Sequence, residues 1–126
     1  MIPNAKQIQL AALLGFLGVA LGAFGAHGLE DTLKAHATVE IWKTASHYHL
    51  IHAVVLLVLG LAGGADASAR YAWWSLMFGV LVFSGSLYVL SVTGVRWLGA
   101  ITPIGGLLML IGWLLIAIRR WPRSQA

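Results

Sequence analysis

Residues 71–118 read YAWWSLMFGVLVFSGSLYVLSV, then TGVR, then WLGAITPIGGLLMLIGWLLIAI. Two apolar runs of 22 residues flank a four-residue break that contains Gly94. A helix rises about 1.5 Å per residue, so about 20 residues cross a hydrocarbon layer about 30 Å thick. Within that layer each backbone amide must find its partner inside its own segment, which a helix achieves and a strand of this length does not. The stretch therefore reads as two transmembrane helices joined as an antiparallel hairpin.

Two more such runs precede it. Ile8 to Ala26 spans 19 residues with Gln9 as its strongly polar side chain, and Ile41 to Ala62 spans 22 with a polar first half. The expected fold is all-α: a polytopic four-helix transmembrane bundle, with helices over 8–26, 41–62, 71–92 and 97–118 in a single membrane domain covering 1–126. The first run follows Lys6 and ends in small residues, as a signal peptide would. Its apolar stretch exceeds a usual signal core, so it is read as a retained helix. Composition agrees. Of 126 residues, 60% are apolar and 10% charged, against about 25% charged in soluble domains. A mean hydropathy of +0.86 leaves too little polar surface to cover a soluble fold. Cysteine is absent, which excludes disulfides, a thiol nucleophile and thiolate metal sites.

The connections differ in character. Residues 63–70 contain the Gly63-Gly64 pair, Asp66 and Ser68, and read as a solvated loop. In residues 27–40, Leu29, Leu33 and His36 recur at helical spacing, with Glu30, Asp31 and Lys34 on the other side. That pattern predicts a short amphipathic interfacial helix between helices one and two. Four crossings place both ends of the chain on one side, with Lys6, Arg70, Arg119, Arg120 and Arg123. The other side holds Lys34, Lys43 and Arg96 beside Glu30, Asp31 and Glu40. The bias predicts an inner-membrane protein with both termini in the cytoplasm. The formal charge of +4 is thus a signal of topology and of the lipid bilayer as partner, not of nucleic acid.

Helix one carries Ala11, Gly15, Gly18, Gly22 and Gly25 along one seam, and small residues on a seam let helix backbones approach closely. A packing seam within the bundle is one reading; a homo-oligomer contact, or one to a larger membrane partner, is the other. Ser75 and Gly79 repeat the pattern in helix three. Counting along each helix sets His27, Tyr48, His49, His52, Ser84, Ser86, Tyr88 and Thr102 in the half of the bilayer away from the termini. The opposite half holds apolar runs such as Val54–Leu59 and Leu107–Ile111. Polar side chains at such depth face a bundle interior or a wet cavity. These eight residues are the candidate ligand-binding set, and Gly15, Gly18, Gly22 and Gly25 the candidate packing set. His49 and His52, three apart on one face, admit interhelical hydrogen bonding, a proton or ligand site, or metal or haem ligation with His27. No acidic residue lies within a helix to support the metal reading, so no metal or cofactor is expected. In Thr102-Pro103-Ile104-Gly105-Gly106, the proline should free the carbonyl of Gly99 and kink or break helix four, either for packing or to line a cavity.

Some of these residues carry a resemblance. Gly22-Ala23-Phe24-Gly25-Ala26-His27-Gly28-Leu29, Tyr48 with His52, Phe83-Ser84-Gly85-Ser86-Leu87-Tyr88 and Thr102-Pro103-Ile104-Gly105-Gly106 occur in that order. The chain resembles the small membrane proteins grouped as domain of unknown function 423, which include YgdD-like bacterial inner-membrane proteins and the eukaryotic transmembrane protein 256. The resemblance implies a four-helix inner-membrane protein. His27, Tyr48 and His52 fit its pattern, whereas His49 is particular to this sequence. It implies no reaction, and no phosphate loop, nucleophile triad or carboxylate pair is present. The chain is therefore expected not to be an enzyme but a structural, assembly or interaction protein. The alternatives are a small-molecule, lipid or proton-coupled binding protein, and histidine-based metal or haem binding.

Overall fold

The computed structural model describes residues 3–63 and 66–123; Gly64 of the glycine pair lies outside them. Among these residues five α-helices follow one another: α1 (Ala5–His27), α2 (Glu30–Ala35), α3 (Val39–Ala62), α4 (Ala67–Thr93) and α5 (Thr102–Ile118). A 3-10 turn, Arg96–Ala100, leads into α5. The long helices α1, α3 and α4, and the turn together with α5, are each long and apolar enough to cross a membrane. Polar caps extend them beyond their apolar runs. Asn4 accepts the Gln7 amide at 3.2 Å and starts α1 three residues before Ile8, a side-chain cap on an otherwise orphaned N–H. Gly94 ends α4 at φ +71°, donating its amide to the Leu90 carbonyl. Only glycine takes that left-handed conformation freely.

Pro103 acts differently from the expectation for helix four. It kinks nothing, because α5 begins at Thr102 and the proline sits in its first turn. There its missing N–H would have no partner in any case and its fixed φ suits the helix. The span from Arg96 is instead built as a 3-10 turn followed by an α-helix. The amphipathic helix is α2, of six residues: Leu33 is buried, Glu30, Asp31 and Lys34 are exposed, and Lys34 pairs with Glu30 at 2.8 Å.

The spanning helices form an open row. α1 packs on α3, α3 on α4 and α4 on α5; among the described residues no backbone approach joins α1 to α4, α3 to α5, or α1 to α5. The middle helices supply most of the core, with Leu56, Trp73, Leu76 and Val80 almost wholly enclosed. Glycine governs two of the three interfaces. In α1, added Cβ atoms at Gly15, Gly18 and Gly22 would reach Ala53, Leu50 and Ser46, and one at Gly25 would fall within the Trp42 indole. The seam thus faces α3 of the same chain. Between α4 and α5, Gly79, Gly105 and Gly112 bring backbone against backbone. Close approach replaces the hydrophobic effect, which gives helices no reason to associate within lipid.

At the side bearing the chain ends, the Asn4 amide donates to the Gly60 carbonyl at 2.8 Å. Arg119 donates to the Gly63 carbonyl at 2.8 Å and to Asp66 at 2.6 Å. The Ser68 hydroxyl donates to the other Asp66 oxygen at 2.5 Å. First the Ser68 hydroxyl, and with it the Arg119 charge, holds the Asp66 carboxyl below its ordinary 3.8. A depressed folded-state value means the carboxylate contributes stability above the unfolded value and loses it as pH falls through the folded one. The melting temperature of Asp66→Asn should therefore lie below that of the parent at neutral pH and converge on it as pH falls below 3.8 and through the folded-state value. A constant difference across that window would contradict this account.

Candidate functional site

The candidate set is spread over α1, α3, α4 and α5, and most of its polar groups are engaged by other groups of the same chain. His49 is buried at the α1–α3 interface, opposite Leu14. Its Nε2 lies 2.7 Å from the Leu14 carbonyl and its Nδ1 2.9 Å from the Tyr88 hydroxyl. A carbonyl only accepts, so Nε2 carries the proton and Nδ1 accepts from Tyr88. One imidazole thereby ties α1, α3 and α4 together. His52, one turn deeper, takes the opposite tautomer. An indole N–H only donates, so Nε2 of His52 accepts from Trp113 at 3.1 Å, and Nδ1–H donates to the Tyr48 carbonyl at 2.8 Å. This bond crosses the gap between α3 and α5. Nitrogen-15 shifts of labelled protein should show one Nε2–H and one Nδ1–H histidine in the bundle interior; a single shared tautomer would refute these assignments.

The remaining hydroxyls behave likewise. Ser84 donates to the Ala45 carbonyl at 2.8 Å, joining α4 to α3. Ser86 and Thr102 share a hydrogen bond of 2.7 Å between α4 and α5. Two members stand apart. His27 is exposed at the end of α1, away from the others. Tyr48 turns outward, 40% exposed. The eight residues therefore do not line one common cavity. Tyr48 and His52 share a cleft of about 610 Å³ with Phe83, Pro103, Gly106 and Trp113, between α3 and α5. His49, Ser84 and Tyr88 border a smaller one of about 150 Å³ between α1 and α4. Among the described residues, no group of three His, Asp or Glu side chains is placed to hold a metal ion.

The depth pattern is also less one-sided than the sequence suggests. His52 is the fourteenth of the 24 residues of α3, just past its midpoint. In the half nearer the termini, Trp73 donates to the Leu56 carbonyl at 2.9 Å and Ser75 to the Leu108 carbonyl at 2.7 Å. In the other half, Trp42 donates to the Leu21 carbonyl at 3.2 Å and Thr38 to the Ser91 carbonyl at 2.7 Å. Of these four donors the sequence points to Ser75 alone, and to it as a small packing residue rather than a donor. Their common feature is a single polar hydrogen reaching a helical carbonyl, whose second lone pair is free. The sequence signal for this is no more than residue type: tryptophan, serine or threonine in or beside an apolar span.

Comparison with known proteins gives the family. Residues 21–106 match the protein family of unknown function DUF423. The chain belongs to that family. It is 51% identical to a UPF0382 membrane protein of Staphylococcus epidermidis over 112 residues, 88% of this chain and 91% of that one. It is 42% identical to the UPF0382 membrane protein YwdK of Bacillus subtilis over 114 residues, 88% of this chain and 92% of that one. No solved structure matches. This DUF423 member is thus a membrane protein, and the names of these relatives carry no enzyme activity.

Proposed function

We propose that the protein is an assembly or interaction protein of the inner membrane, with both termini in the cytoplasm, that docks against other membrane helices. The observation that carries this reading is the closed hydrogen bonding of its interior. Both nitrogens of His49 and of His52, and the hydroxyls of Ser84, Ser86, Tyr88 and Thr102, are engaged by groups of the same chain. Groups so engaged fix geometry and are not free to bind or turn over a substrate. Meanwhile α1 and α5 each have one spanning neighbour, and each keeps an apolar flank at Phe16 and Val19, or Leu107, Leu110 and Leu114.

Because the chain lacks cysteine, single cysteines at Phe16, Leu110 and the outward Val58 of α3 can be cross-linked in native membranes. A discrete product of defined mass from one edge, and none from Val58, is expected. Identical behaviour at all three positions would refute the reading. A second reading rests on Tyr48, which faces the 610 Å³ cleft beside His52: a ligand seated there. A mass adduct lost on His52→Ala, with the fold intact, would establish it over the first.

A further inference from the structure

A second cleft, of about 510 Å³, lies where α1, α2 and α3 meet, on the side opposite the chain ends. We infer that it holds one zwitterionic phospholipid, with the phosphate against Lys34 and Lys43, the ammonium beside Glu30 and an acyl chain in the groove below. Its inner surface is made by Gly22, Gly25, Leu33 and Trp42, and its rim by Glu30, Lys34, Lys43 and His47. Along α3 the lining runs from Val39 to Leu50, about 16 Å at 1.5 Å per residue. It thus begins at the level of α2 and reaches about half-way through a hydrocarbon core of about 30 Å.

A molecule that fits must be charged at one end and apolar for the rest, with the two ends at those depths. Lipid is the bilayer component that meets this description. Charge then selects the headgroup. The rim lysines are each met by a carboxylate, Lys34 by Glu30 at 2.8 Å and Lys43 by Glu40 at 3.3 Å. Both pairs are exposed, and exposed pairs are weak enough to open for another partner. A rim carrying both signs suits a headgroup carrying both signs; an anionic headgroup would leave Glu30 facing like charge.

The test is native mass spectrometry of the full chain released from nanodiscs of equimolar phosphatidylethanolamine and phosphatidylglycerol. One retained phosphatidylethanolamine per chain is expected, several-fold enriched over phosphatidylglycerol. A basic residue near a headgroup is worth about fivefold in affinity, so Lys34→Gln with Lys43→Gln should lower retention about 25-fold. Ala26→Leu, at an exposed position that lines the cleft, should abolish retention without moving the melting temperature. It keeps the proposal testable should the double variant fold poorly. Equal retention of the two lipids, or retention unchanged by Ala26→Leu, would overturn the assignment.

Discussion

Gly105→Ala is expected to destabilise the folded row by about 3 kcal/mol, at the upper end of what overpacking an interior costs. Gly105 is buried in α5. An added Cβ would fall on the Phe83 amide nitrogen and within 2.6 Å of the Gly79 carbonyl oxygen. These are backbone atoms of α4, which cannot swing aside as a side chain would. The helices would have to separate, and the neighbouring Ser86–Thr102 and Ser75–Leu108 bonds would lengthen with them. Gly85→Ala is the matched control. Nothing lies within 4 Å of a Cβ there, so the substitution should be neutral, or stabilising by up to about 1 kcal/mol through helix propensity. Denaturant titration in mixed micelles, followed by tryptophan fluorescence, separates the two. Equal effects at both positions would mean that α4 and α5 do not meet through this seam.

His49→Ala should cost about 3 kcal/mol by the same titration. Interhelical hydrogen bonds in membranes average about 0.6 kcal/mol and reach about 1.7, and this ring makes two. Removing a buried ring also leaves a cavity, which adds a comparable amount. The Tyr88 hydroxyl then loses its acceptor in a region with no water to replace it. Tyr88→Phe, which removes one bond and no volume, should cost about 1 kcal/mol. The double variant His49→Ala, Tyr88→Phe should fall short of the sum, because both changes remove one shared bond. Strict additivity would show that the two side chains do not interact.

Both predictions depend on tertiary positions, and they mark where the sequence stopped being informative. The hairpin of α4 and α5 was legible because two 22-residue apolar runs and Gly94 admit few other arrangements. α2 was legible because Leu33 and the charged residues beside it alternate with helical period. The role of Pro103 was not. A proline within an apolar run is compatible with a kink or with a first turn, and the choice depends on the 3-10 turn at Arg96–Ala100. His49 and His52 were visible as a pair on one face, yet their partners were not. Leu14 and Trp113 lie 35 and 61 residues away, and pattern along one helix carries no information about which neighbour it meets.

What the sequence by itself determined is the membrane as solvent, the number of spans and the existence of glycine seams. Each follows from local quantities: hydropathy, run length and residue size at helical spacing. Only the tertiary structure decided that α1 turns its seam to α3, that the row stays open between α1 and α5, and that the polar residues divide between internal ties and two separate clefts. The physical reason is that lipid is as apolar as leucine. It forces helices to form, but leaves their choice of neighbour to close backbone approach and to single hydrogen bonds, which exist only once the helices are side by side.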